Sequence, residues 1–185
     1  MWGFSTFLSN IHVSVGKPDE LKALNGEVVS LIQEGQYDKG TAVARKALAL
    51  AEKTVGHNHP ETAVTLNNLA SLYDKQGQYA LAEPLFKRAL EILDPSDPAV
   101  GSTLTNLAIL YVNQGRHALS EPLFKDALKI MEKVRGPDHP DVAQSLNNLA
   151  PFYRDQGEYG QAEPLLKRAL GVSEKTLGAR SSRGD

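Results

Sequence analysis

One eight-residue phrase occurs three times in this chain, as Leu66-Asn67-Asn68-Leu69-Ala70-Ser71-Leu72-Tyr73, Leu104-Thr105-Asn106-Leu107-Ala108-Ile109-Leu110-Tyr111 and Leu146-Asn147-Asn148-Leu149-Ala150-Pro151-Phe152-Tyr153. Self-similarity in a fixed register restricts the fold more than composition does. Each unit is too small to bury its own apolar face and must stack on its neighbours. Within the phrase, apolar residues at i, i+3, i+4 and i+7 define one buried helix face. Such a face does not need the asparagines, which makes them the clue to function.

Two further residue types keep the same register. Gly35, Gly77, Gly115 and Gly157 stand 42, 38 and 42 residues apart, and Pro18, Pro60, Pro98 and Pro140 each precede one of them by 17 residues. Proline suits the first position of a helix, where its missing N–H has no partner to lose. Acidic neighbours (Asp19, Glu20, Glu61, Asp141) favour the positive end of the helix dipole. A first helix, A, is expected from each proline to just before each glycine, which can adopt the left-handed conformation that closes a helix. A second helix, B, follows, with Ala82, Leu85, Phe86, Ala89 and Leu90 at helical spacing in the second unit. In that unit helix B stops at Leu93 and turns through Asp94-Pro95-Ser96-Asp97-Pro98, so the four missing residues shorten it by about one turn, roughly 5–6 Å.

The units are therefore expected at about 18–59, 60–97, 98–139 and 140–178. Residues 1–17 read as an N-terminal extension or the relic of an earlier helix B, and 179–185 as a disordered tail. Unit one has Gly26-Glu27-Val28 where its neighbours have Asn-Leu-Ala, as suits a terminal unit with one face in solvent.

The pattern Leu66, Leu69, Ala70, Tyr73, Ala82, Phe86 and a proline-bearing linker resembles the tetratricopeptide repeat (TPR) family. The phrases His59-Pro60, Leu66-Asn67-Asn68-Leu69-Ala70, Gly77, Ala82-Glu83-Pro84-Leu85 and Lys87-Arg88-Ala89-Leu90, with the 42-residue period, resemble its kinesin-light-chain-like subgroup. The resemblance implies an all-α, right-handed α-solenoid of four helix-turn-helix repeats. It also implies a non-enzymatic scaffold whose concave groove, lined by A helices, holds an extended peptide or helix of a partner protein.

The resemblance places Asn68, Asn106 and Asn148 on the concave face, where a primary amide can match the donors and acceptors of a peptide backbone. For Asn67 and Asn147 the favoured role is to knit neighbouring helices. Further groove contacts are expected from Asn25, Val64, Lys75, Ile109, Val112, Asn113 and Arg154. Paired Lys and Arg, which hold a C-terminal carboxylate in chaperone-tail-binding relatives, are replaced here by Val64 with Asn68, Ser102 with Asn106 and Gln144 with Asn148, so that mode is disfavoured. Pro151, inside helix A of unit four, removes the hydrogen bond to the Asn147 carbonyl and costs about 3 kcal/mol unless the helix bends. The alternative function is structural self-assembly through uncapped terminal repeats and the apolar Met1–Val15 stretch.

Composition narrows the rest. A formal net charge of -2 leaves no electrostatic footprint for nucleic acid or an anionic membrane. With no cysteine, thiolate chemistry and disulfides are excluded. No apolar run is long enough to span a membrane, and a cytoplasmic location is the default expectation. His57 and His59 lack a carboxylate or cysteine partner for a metal site. No cofactor is expected. Glu83, Glu121 and Glu163 repeat with the register and read as structural.

Overall fold

The computed structural model describes residues 17–181, and the surroundings of side chains from residue 19 to residue 176. Among the described residues eight α-helices follow one another: α1 (Lys17–Gln33), α2 (Tyr37–Thr54), α3 (Pro60–Lys75), α4 (Tyr79–Ile92), α5 (Pro98–Asn113), α6 (His117–Arg135), α7 (Pro140–Asp155) and α8 (Tyr159–Ser181). Odd-numbered helices are the A helices and even-numbered ones the B helices. No strand occurs among the described residues.

The punctuation works as the residues dictate. Pro60, Pro98 and Pro140 open α3, α5 and α7. The residue before each proline supplies a side-chain cap: His59 Nδ1 accepts the Glu61 N–H at 3.2 Å, Asp97 Oδ1 the Ala99 N–H at 2.8 Å and His139 Nδ1 the Asp141 N–H at 3.1 Å. His59 is thus a helix cap, and His57 lies 3.2 Å from Glu52. At the other end, Gly35, Gly77, Gly115 and Gly157 have φ of 72, 70, 71 and 78°. The residue after each glycine donates its N–H back to Leu31, Tyr73, Tyr111 or Tyr153 at 2.8–2.9 Å, which satisfies a last-turn carbonyl.

α4 has 14 residues against 18 in α2 and 19 in α6, so the deletion falls on helix B of unit two. α8 continues through Gly178 to Ser181, where the sequence suggested an end to the array. The proposed relic helix at the N-terminus and residues 182–185 lie outside the described residues. α7 runs through Pro151 as a single helix.

Each A helix packs on its own B helix, and α3, α5 and α7 also pack on the B helix before them. The backbones of neighbouring A helices also come close, whereas neighbouring B helices stand further apart and meet through long side chains, as in the Arg88–Glu52 and Arg168–Glu132 ion pairs. The A helices therefore form the inner layer of an α-solenoid. The core runs between the layers: Val28, Ala44, Leu69, Leu72, Phe86, Leu107 and Leu110 form one buried cluster, and Ala108, Phe124, Leu149 and Phe152 another. Leu66, Leu69, Ala70 and Tyr73 are all buried, as the phrase requires.

The phrase tyrosines add a polar latch between units. Tyr111 donates its hydroxyl to Glu83 and Tyr153 donates to Glu121, both at 2.9 Å, while each carboxylate also pairs with the lysine one turn on, Lys87 or Lys125, at 2.7 Å. Unit one has Thr41 in place of that glutamate, and Arg45 donates to the Tyr73 hydroxyl at 2.7 and 2.9 Å instead.

Candidate functional site

The inner face is built from half-exposed polar side chains set one turn apart on α1, α3, α5 and α7. Asn68 and its equivalents stand next to a buried leucine, so the fold orients the amide by packing its neighbour. In the first two junctions these amides join adjacent A helices. Asn68 donates Nδ2–H to Asn25 Oδ1 at 3.4 Å, and Asn25 donates to Thr65 Oγ1 at 3.1 Å. Asn106 donates to Asn67 Oδ1 at 3.1 Å and to Ser71 Oγ at 3.5 Å. The rule is regular: the asparagine at one register position accepts from the asparagine one position further along in the next unit.

The third junction breaks the rule. Thr105 occupies the position of Asn25 and Asn67, and its hydroxyl turns back to donate to the Gly101 carbonyl of its own helix at 2.9 Å. Asn148 is left with a bond from Gln144, also on its own helix, at 3.2 Å. A cleft of about 330 Å³ opens between α5 and α7, lined by Ser102, Thr105, Asn106, Gln144, Ser145 and Asn148, with Met131 and Arg135 from the end of α6. Its volume lies at the lower end of ligand-binding pockets, about 300–1,000 Å³. Arg135 Nε faces Asp141 Oδ2 at 3.3 Å, so the charges at the cleft are matched with each other.

The other sequence-predicted contacts divide. Val64, Lys75 and Arg154 are exposed, and Arg154 pairs with its neighbour Asp155 at 2.9 Å. Asn113 donates to both oxygens of the buried Asp74, at 3.0 and 3.3 Å, and so ties α5 to α3. Ile109 and Val112 pack, half-buried, against the cluster that contains Phe152. Asn106 and Asn148 line the same cleft. Thr105, Met131, Arg135 and Ser145 were not singled out in the sequence; the one available signal was the replacement of Asn67 by Thr105.

The sequence pattern described as tetratricopeptide repeat matches residues 19–94 and 100–178. No curated protein matches the chain significantly. Among solved structures, the chain is similar to BtubC (BKLC) from P. vanneervenii, with a TM-score of 0.72 and 24% identity over 85% of this chain. It spans 65% of the BtubC chain. It is also similar to a Podosopora anserina chain described as a putative kinesin light chain with nearly identical TPR-like repeats, with a TM-score of 0.70, 24% identity, and coverage of 86% of this chain and 77% of that one. MamA is a third, with a TM-score of 0.60 and 16% identity over 87% of this chain and 82% of its own. All three are likenesses of fold.

Proposed function

We propose, from the premise that this chain belongs to the tetratricopeptide repeat family, that its inner face holds an extended segment of a partner protein and performs no chemistry of its own. The repeat fold is in general a scaffold for protein interaction. The observation that carries the finer reading is the cleft between α5 and α7, which interrupts an otherwise self-satisfied ladder of amides with open hydrogen-bonding groups. Exposed Val64 and Lys75 on α3 and Arg154 on α7 flank the course of such a segment. An array of 12-residue peptides with blocked ends, probed with the chain, tests this. Asn106→Ala is expected to weaken the tightest binder severalfold, the scale of one net hydrogen bond, with helix content by circular dichroism retained. Unchanged affinity would contradict the reading.

One observation favours a second reading, association of two copies through α8. Leu166 and Leu170 are 47% and 61% exposed, whereas Phe124 and Phe86, in the register position of Leu166, are 3% and 0% exposed. The leading face of α1 is different in kind. It carries Glu20, Glu27 and Ser30, all exposed, where α3 has the buried Thr62, Leu69 and Leu72. Head-to-tail stacking of copies therefore lacks one apolar partner, and tail-to-tail contact is the arrangement these faces favour.

A further inference from the structure

We propose that the cleft at the third junction anchors the bound segment by taking one uncharged amide of the guest, whose carbonyl oxygen accepts the Asn148 Nδ2–H. It would do so in the place that an asparagine side chain of the array fills at the first two junctions. This rests on the groove reading above and narrows it to one site and one ligand chemistry.

Three observations converge. At the first two junctions the acceptor for the ladder amide is itself a carboxamide oxygen, Asn25 Oδ1 or Asn67 Oδ1, so the array already shows what the Asn68 and Asn106 donors bind. At the third, Thr105 has no carboxamide oxygen to supply, and among the described residues its shorter side chain makes no bond to Asn148: its hydroxyl donates to the Gly101 carbonyl. Asn148 Nδ2 has no bond to another helix among the described residues, although Thr105 and Asn148 line the same 330 Å³ space. The guest thus completes a rung that the chain leaves open.

The cleft also suits a neutral guest. Ser102, Thr105, Asn106, Gln144, Ser145 and Asn148 are neutral, and Arg135 and Asp141 neutralise each other. The cleft therefore presents no uncompensated charge to draw in a carboxylate or an ammonium group, whereas an amide asks for none. An amide also offers an N–H, which the Asn106 Oδ1 acceptor can take, because Asn106 spends its donor side on Asn67 and Ser71. The same amide chemistry can come from the backbone of an extended peptide or from an Asn or Gln side chain.

Thr105→Asn gives a direct test, because it rebuilds the rung from within. The probe is the fluorescein-labelled form of the tightest 12-residue peptide from the array, read by anisotropy. Thr105→Asn is expected to lower its affinity about tenfold or more, the loss of a hydrogen bond together with occupation of the cleft, while the thermal midpoint stays at or above that of the wild type. Thr105→Ser, which keeps the hydroxyl and leaves the rung open, is expected to bind as the wild type does. Asn148→Ala should lose affinity as Thr105→Asn does. Within the probe, Asn or Gln to Ala substitutions and single amide-to-ester replacements separate the two amide sources, since only the true anchor responds. Wild-type affinity in a folded Thr105→Asn, together with weakened binding by Asn106→Ala, would overturn the anchor and leave the groove reading standing. A failure of the chain to retain any peptide on the array would overturn both.

Discussion

Glu83 collects more partners than any other side chain of the latch. Lys87 bonds it at 2.7 Å, Tyr111 at 2.9 Å and Arg116 at 3.0 Å, and Arg116 also lies over the Tyr111 ring at 4.5 Å. The hydrogen bond from Lys87, followed by those from Tyr111 and Arg116, holds the carboxyl below its ordinary range despite the opposing effect of partial burial. Burial first, and then the bond to Glu83, push the Tyr111 hydroxyl up. A carboxyl that is more acidic folded than unfolded contributes stability above the unfolded value, about 4.3, and loses it as pH falls through the lower folded value. Glu83→Gln is expected to lower the thermal midpoint near neutral pH and to converge with the wild type in acid. A constant offset down to about pH 3 would mean that ionisation of Glu83 contributes nothing.

At the scale of the element, helix boundaries were legible because Pro60, Pro98 and Pro140 and Gly35, Gly77, Gly115 and Gly157 act locally, through φ alone. Gly77→Ala forces a side chain into the left-handed region and is expected to cost about 1–2 kcal/mol in chemical denaturation. Gly26 is the opposite case: it sits inside α1 with nothing within 4 Å of an added Cβ, so Gly26→Ala should raise stability by about 0.5–1 kcal/mol. If both substitutions move the midpoint in the same direction, the distinction between turn and helix-interior glycine fails. The site was less legible. The rungs depend on how far one A helix is displaced along its neighbour, and no single unit encodes that displacement. The sequence therefore grouped Asn68, Asn106 and Asn148 as equals, whereas the structure gives the first two helix partners and leaves the third facing a cleft. The caps from His59 and His139 were hidden for a different reason: histidine at that position works only when its ring turns Nδ1 toward the helix.

The whole molecule is a chain of nearest-neighbour interfaces, so the loss of one turn from α4 is absorbed locally and the register resumes at Pro98. Its two end faces are not equivalent. If the exposed Leu166 and Leu170 pair two copies, light scattering across a concentration series should show rising mass, and Leu166→Ser with Leu170→Ser should abolish the rise. A wild type that stays monomeric throughout would remove the second reading. The polar leading face of α1 and the apolar trailing face of α8 also give the array a direction of growth. A further 42-residue module could be joined at the linker position, Gly178, because the face its A helix would cover already carries the apolar Leu166 and Leu170. Extension ahead of α1 would first require Glu20, Glu27 and Ser30 to be rewritten, so for an engineer lengthening this groove the α8 face is the better one to build on.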